Sequence, residues 1–139
     1  MIRFFNEDIV FTLGSKRKLR DWIVTCAMNR GLKTGEINFV FCSDSFLLEL
    51  NNKYLKHNTL TDILTFPDGD NKDIIGGDIY ISVPRVRENA VELGELFEDE
   101  LHRVMIHGVL HLCGFKDKTK LEKEEMRLME DLCLASFTG

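Results

Sequence analysis

The chain contains no run of about 18 apolar residues, so no membrane-spanning helix is expected. Its first residues, Met1 to Asp8, include acids and no cleavable hydrophobic region. That argues against a signal peptide and makes the cytoplasm the expected compartment. No C-x-x-C pair occurs either. Cys26, Cys42, Cys113 and Cys133 are widely scattered, and without an export signal they are expected as reduced, mostly buried thiols rather than two disulfides. Low-complexity linkers and internal repeats are also missing. A chain of 139 residues, 44% of them hydrophobic, fits one domain over residues 1–139 with a single core. Positive charge is in deficit, since the formal net charge is −5, which argues mildly against a nucleic-acid partner. Its distribution softens that argument. Residues 1–35 hold seven basic and three acidic residues, including the Lys16-Arg17-Lys18-Leu19-Arg20 patch, and Lys116, Lys118 and Lys120 cluster near the carboxyl end. Each basic cluster reads equally well as solvated surface or as RNA contact.

What is present concentrates in His107-Gly-Val-Leu-His111-Leu-Cys-Gly114-Phe-Lys-Asp117. Residues four apart on a helix share a face, so His107 and His111 present both imidazoles together. Gly114 suits the left-handed conformation that ends a helix, and the reversal carries Asp117 towards the histidines. Asp117 has a rival role as the cap of the next helix. Thr119-Lys-Leu-Glu122 reads as a capping box and takes that role instead. Gly108, costly inside a helix, implies a packing or functional reason such as open space over a ligand. Two imidazoles and one carboxylate suit Zn²⁺ and leave a position for water. His102, about 140° round the helix from His107, should miss the ion and is expected at the surface or behind the ligands. Cys113, two residues after His111, should point away and pack.

The same residues carry a resemblance. H-G-V-L-H-L-C-G-F-K-D is similar to the signature of the YbeY family, H-G-x-L-H-L-x-G-Y-D-H. Leu50-Asn51-Asn52-Lys53-Tyr54 followed by Thr61-Asp62-Ile63-Leu64-Thr65-Phe66-Pro67 resembles the family's L-N-x-x-Y-R and T-D-V-L-S-F-P, and Gly77-Asp78-Ile79 resembles a third segment. The resemblance implies a single α+β domain with metal held by a helix and the loop after it. It also implies a metal-dependent, single-strand-specific endoribonuclease of late small-subunit ribosomal RNA 3′-end maturation and ribosome quality control. Its partners would be single-stranded ribosomal RNA and the small ribosomal subunit. Two positions depart from the pattern. Asp117 stands where the family has its third histidine, so one zinc per chain is expected, with another divalent metal as the alternative. Leu55 replaces the family's arginine, so another cation, with Lys56 the candidate, takes its place or none does.

Strands are expected at Ile2–Phe5, Glu36–Cys42 (buried rather than alternating), Asp62–Phe66 and Gly77–Ser82, with a further extended stretch at Ile9–Leu13. Helices are expected from a Ser15 cap over Lys16–Arg30, from Ser43 or Asp44 to about Tyr54, from Ser82 to Gly94, over about Leu96–Leu112, and over Lys120–Ala135. The third should bury Val86, Ala90 and Leu93, and the last Leu121, Leu128, Met129 and Leu132. His57 falls in a loop and Asp68–Asp73 in a polar turn. Mixed elements without a strict βαβ repeat give an α+β fold of about four strands in a mixed sheet and about five helices.

A metal with three protein ligands activates water and polarises a phosphoryl or carbonyl oxygen. Zinc peptidases of the H-E-x-x-H type place a general-base glutamate after the first histidine, where this chain has Gly108. Too few strands exist for the barrel of the two-histidine-one-carboxylate iron oxygenases. Metal ligands are therefore expected at His107, His111 and Asp117, and substrate contacts at Thr61, Lys116 and Lys118. Lys56 and His57 are weak catalytic candidates. Asp62 is expected at the cleft wall or hydrogen-bonded to a ligating histidine, and Asp78 at the cleft wall or in a structural role. The alternatives are a ribosome-associated RNA-binding factor with a structural metal, and a metallohydrolase of another substrate. A monomer is expected.

Overall fold

Apolar residues alternate along one long strand and set the sheet. In β2 (Lys33–Cys42), Ile37, Phe39 and Phe41 are buried while Asn38 and Val40 are half-exposed. The strand expected to be uniformly buried is thus an alternating one, with Cys42 turned to the opposite face against Leu47 and Leu64. The computed structural model describes residues 1–55, 60–69 and 72–137. β1 (Ile2–Asn6) leads through α1 (Lys16–Met28) to β2, followed by α2 (Asp44–Leu55), β3 (Ile63–Pro67), β4 (Ile74–Ser82), α3 (Val83–Leu93), α4 (Phe97–Leu112) and α5 (Lys120–Ala135). The sheet order is β1-β2-β4-β3. β1, β2 and β4 run parallel and β3 antiparallel to β4, which leaves β3 at an edge. Pro67 is tolerated at the end of that edge strand because no ladder bond needs its nitrogen.

Ile37, Phe39, Phe41, Ile79 and Ile81 form one sheet face with the buried sides of α1 and α4, namely Leu19, Ile23, Leu101, Met105 and Val109. α2 covers the other face. The Ser43 hydroxyl starts α2 by accepting from Phe46 N at 3.1 Å. Gly108 lets α4 approach the sheet: a Cβ there would lie 2.9 Å from Ile79 Cγ2 and 3.0 Å from Ile63 Cδ1. Its reason is packing, not space over a ligand. α5 closes the bundle, with Trp22 Nε1 donating to the Cys133 carbonyl at 2.7 Å.

Several local expectations are corrected. Residues 9–13 form no strand. Instead Phe11 packs on Phe41 and Phe97, and Leu13 is buried. Ser15 is left-handed (φ 57°) and its hydroxyl caps nothing, so α1 starts without a side-chain cap and ends at Met28. Leu93, Leu121, Leu128 and Leu132 are exposed. The inward row of α5 is Met126, Glu130 and Cys133, with Met129 packed at its side. The helix is rotated because Glu130 has a partner inside. All four cysteines are free and three are buried. Lys56 and His57, and part of the Asp68–Asp73 turn, lie outside the described residues.

Candidate metal centre

α4 ends where the glycine demands. Gly114 has φ 104°, and Phe115 N donates to the Leu110 carbonyl at 3.0 Å, so the chain folds back over the helix's last turn. Thr119 then caps α5 through a complete capping box with Glu122. Asp117, relieved of capping, faces the histidines.

His107 Nε2 and His111 Nε2 stand 3.0 Å apart. Asp117 Oδ2 is 3.2 Å from the first and 3.3 Å from the second. Ligand atoms on a tetrahedral ion with bonds of ~2.0–2.1 Å stand roughly 3.3 Å apart, so the triangle has the size a small divalent ion requires. Among the described residues, these form the one group of three histidine, cysteine or acidic side chains that could share an ion. The outer nitrogens are also committed. His107 Nδ1 lies 2.6 Å from Glu130 Oε2, and His111 Nδ1 lies 3.0 Å from the Phe115 carbonyl. With Nδ1–H donating to each, both Nε2 lone pairs point into the triangle.

Glu130 is the residue that sequence reasoning missed. It is buried and also accepts from Arg103 Nη1 at 2.8 Å, while Arg103 Nη2 reaches Asp131. Burial raises the Glu130 carboxyl, but hydrogen bonds from His107 and Arg103 outweigh it and leave its pKa below the ordinary value. For His107 burial works against the charged ring, yet Glu130, then Asp117 and Asp62, raise its pKa above 6.5. Protons therefore compete with a metal at His107 from above that value downward.

The triangle opens on a cleft of about 760 Å³ running beside β3, whose wall includes Thr61, Asp62, Ile63, Lys116 and Lys118. All three expected substrate contacts thus line the space beside the triangle. Leu55 lines it too, so the position of the missing arginine faces the cleft.

The matches to known proteins agree in extent and in kind. The family model described as Endoribonuclease YbeY matches residues 3–138. The chain belongs to the YbeY family. Proteins named Endoribonuclease YbeY from Flavobacterium psychrophilum and Bacteroides thetaiotaomicron are each 47% identical to it over 96% of its length, covering 94% and 97% of their own. The protein of that name from Cytophaga hutchinsonii is 46% identical over 96% of the chain and 94% of its own length. A Thermotoga maritima protein of known solution structure is 31% identical and superposes with a TM-score of 0.65 over 97% of this chain and 90% of its own. Among the described residues the mixed sheet has four strands and the helices number five, as the α+β reading expected.

Asp78 and His102 fall away from the triangle, whereas Asp62 lines the cleft beside it. Asp62 hydrogen-bonds neither His107 nor His111: it accepts from Asn89 Nδ2 at 3.4 Å, and burial raises its pKa. Of the two places expected of it, the cleft wall holds and the hydrogen bond to a histidine falls to Glu130. Asp78 is off the cleft wall and accepts from Asn38 Nδ2 at 3.0 Å across β2 and β4. His102 misses the triangle, as its angle round α4 implied, and is half-buried. Its ring sits 6.2 Å from Trp22 and 4.8 Å from Phe137, and burial lowers its pKa. Cys113 packs against the core with its thiol pushed up to about 11 by burial. No helix among the described residues is long and apolar enough to cross a membrane.

Proposed function

We propose that the chain is a zinc-dependent, single-strand-specific endoribonuclease that acts as a cytoplasmic monomer in small-subunit ribosomal RNA 3′-end maturation and ribosome quality control. The observation that carries this reading is the His107–His111–Asp117 triangle on the wall of an open cleft, in a chain of the YbeY family. His107, His111 and Asp117 would hold one divalent ion. When bound, such an ion lowers the pKa of water and draws charge from a phosphoryl oxygen.

The chain's own residues do the rest. Glu130 and the Phe115 carbonyl fix both rings at Nδ1, so the ligand set is preorganised rather than gathered by the ion. Lys116 and Lys118 place positive charge on the loop beside Asp117, where a phosphodiester entering the cleft needs it. They stand in for the arginine that Leu55 replaces. Thr61 Oγ1, now donating to the Ile63 carbonyl at 3.3 Å, offers a second polar contact in the cleft lining. A cleft along one edge strand admits a single strand whose bases splay apart more readily than a stacked duplex.

The test is single-turnover cleavage of a synthetic single-stranded RNA. His111→Ala is expected to remove both bound metal and cleavage, and chelation to suppress cleavage by the unaltered chain until zinc returns. Full activity in the alanine variant would sink the assignment.

A further inference from the structure

α5 carries an apolar stripe that the fold leaves uncovered. Leu121, Leu128 and Leu132 are 72%, 59% and 55% exposed. Their spacing sets them on one face of the helix, opposite Met126, Glu130 and Cys133, which enter the interior. Beside the first turns of α5 lies a groove of about 300 Å³, lined by Cys113, Gly114, Phe115, Lys116, Glu122 and Glu125. Single exposed leucines are ordinary, whereas a row of them beside a groove marks an interaction surface.

The charges around the row select its occupant. Exposed Glu124 and Asp131 flank the leucines on one side and exposed Glu125 on the other, with Asp131 held by Arg103 at 2.8 Å. Lys120 and Arg127 lie beyond Asp131 on that side, about 80° and 100° round the helix from Leu128, Lys123 faces away, and Lys116 lines the groove. Glu124 and Glu125, the acids nearest the leucines, disfavour RNA phosphates and anionic lipid headgroups on the stripe itself. Two copies meeting through this face would oppose like rims. The basic helix α1 of another copy supplies the opposite charge, but Met28 is its one exposed large apolar side chain, too little to cover three leucines. What complements both features is a helix with an apolar stripe between basic flanks, docked in the helix-in-groove manner. We propose that the outer face of α5 binds a basic amphipathic helix of another protein, its apolar side chains covering Leu121, Leu128 and Leu132 and its lysines or arginines meeting Glu124 and Glu125.

The experiment titrates the full chain, at physiological salt, with three fluorescent synthetic peptides. One is a leucine-striped helix with lysine and arginine flanks, the second keeps the leucines between glutamate flanks, and the third scrambles the first so that no stripe remains. The first is expected to bind with a Kd on the order of 10 μM and the others at least about tenfold more weakly. Leu128→Ser should weaken the first peptide by about tenfold, the loss expected for one buried leucine contact, and leave RNA cleavage and helical content unchanged. Leu132→Ser serves the same purpose should Leu128→Ser disturb folding. Joint replacement of Glu124 and Glu125 by lysine should turn the preference to the acidic peptide. Equal binding of the scrambled peptide, or indifference to both serines, overturns the proposal. So does a dimer seen by sedimentation that either serine abolishes, because the occupant would then be a second copy.

Discussion

A buried carboxylate between a histidine and an arginine holds the centre in shape. Glu130 meets His107 Nδ1 at 2.6 Å and Arg103 at 2.8 Å, so its loss frees the ring and leaves a guanidinium without one of its two carboxylates. Glu130→Ala is expected to weaken the binding of an added divalent ion, zinc on the proposed reading, roughly 10–100-fold, the usual cost of removing a partner of a metal-bound histidine. Competition against a chromophoric chelator measures it, and an unchanged affinity would deny Glu130 this role. Glu100 shows the opposite case. It is buried, its Oε1 finds no partner among the described residues, and burial, then Glu95 and Asp62, raise its pKa from 4.5 to about 6. The folded state therefore holds this proton more tightly than the unfolded chain. That contribution is complete below pH 4.5 and lost as pH rises through about 6. Glu100→Gln should stabilise the fold near pH 7.5 by about 1 kcal/mol, discounted for solvent in the adjoining cavity. The gain should shrink towards pH 4.5, as paired thermal melts would record.

At the level of elements, α4 was legible in the sequence and α5 only in part. α4 has eight buried residues, and its His107–His111 pair, Gly114 stop and following cap all follow from helical spacing and terminus chemistry. α5 has a correct start and end but a misread phase. Leucines at 121, 128 and 132 imply one face by hydrophobicity alone, yet the helix buries Met126, Glu130 and Cys133. An acid in register with Met126 and Cys133 was the available signal, and it gains meaning only once His107 is opposite. Gly108 tests how closely α4 lies on the sheet. Gly108→Ala adds helix propensity worth ~1 kcal/mol but drives a methyl into Ile79 and Ile63, an overpacking cost of ~1–3 kcal/mol. A net loss of about 1 kcal/mol in urea unfolding is expected. A gain in stability would mean that α4 stands further from β4 than described.

Across the whole molecule, the sign of the net charge misleads about the substrate. The chain is −5 overall, but Lys116 and Lys118 line the cleft, and what steers a phosphate is local potential rather than the total. Two such contacts should contribute about −1.4 to the slope of log affinity against log salt for a single strand. Replacing both lysines by alanine should flatten the slope by about that amount while binding of an added divalent ion at the triangle is unchanged. Filter binding across a salt series reads the change, and an unaltered slope would place the RNA elsewhere.

The sequence by itself determined the gathering of His107, His111 and Asp117, the capping box at Thr119, the place of the four strands and the family, because these rest on local spacing and backbone preference. Tertiary structure alone decided which acid holds His107, which face of α5 is inside, and which partners Asp62, Asp78 and His102 meet, namely Asn89, Asn38 and the rings of Trp22 and Phe137. Those outcomes depend on groups brought together across 23 or more residues of chain. No local rule encodes which partners such side chains will meet.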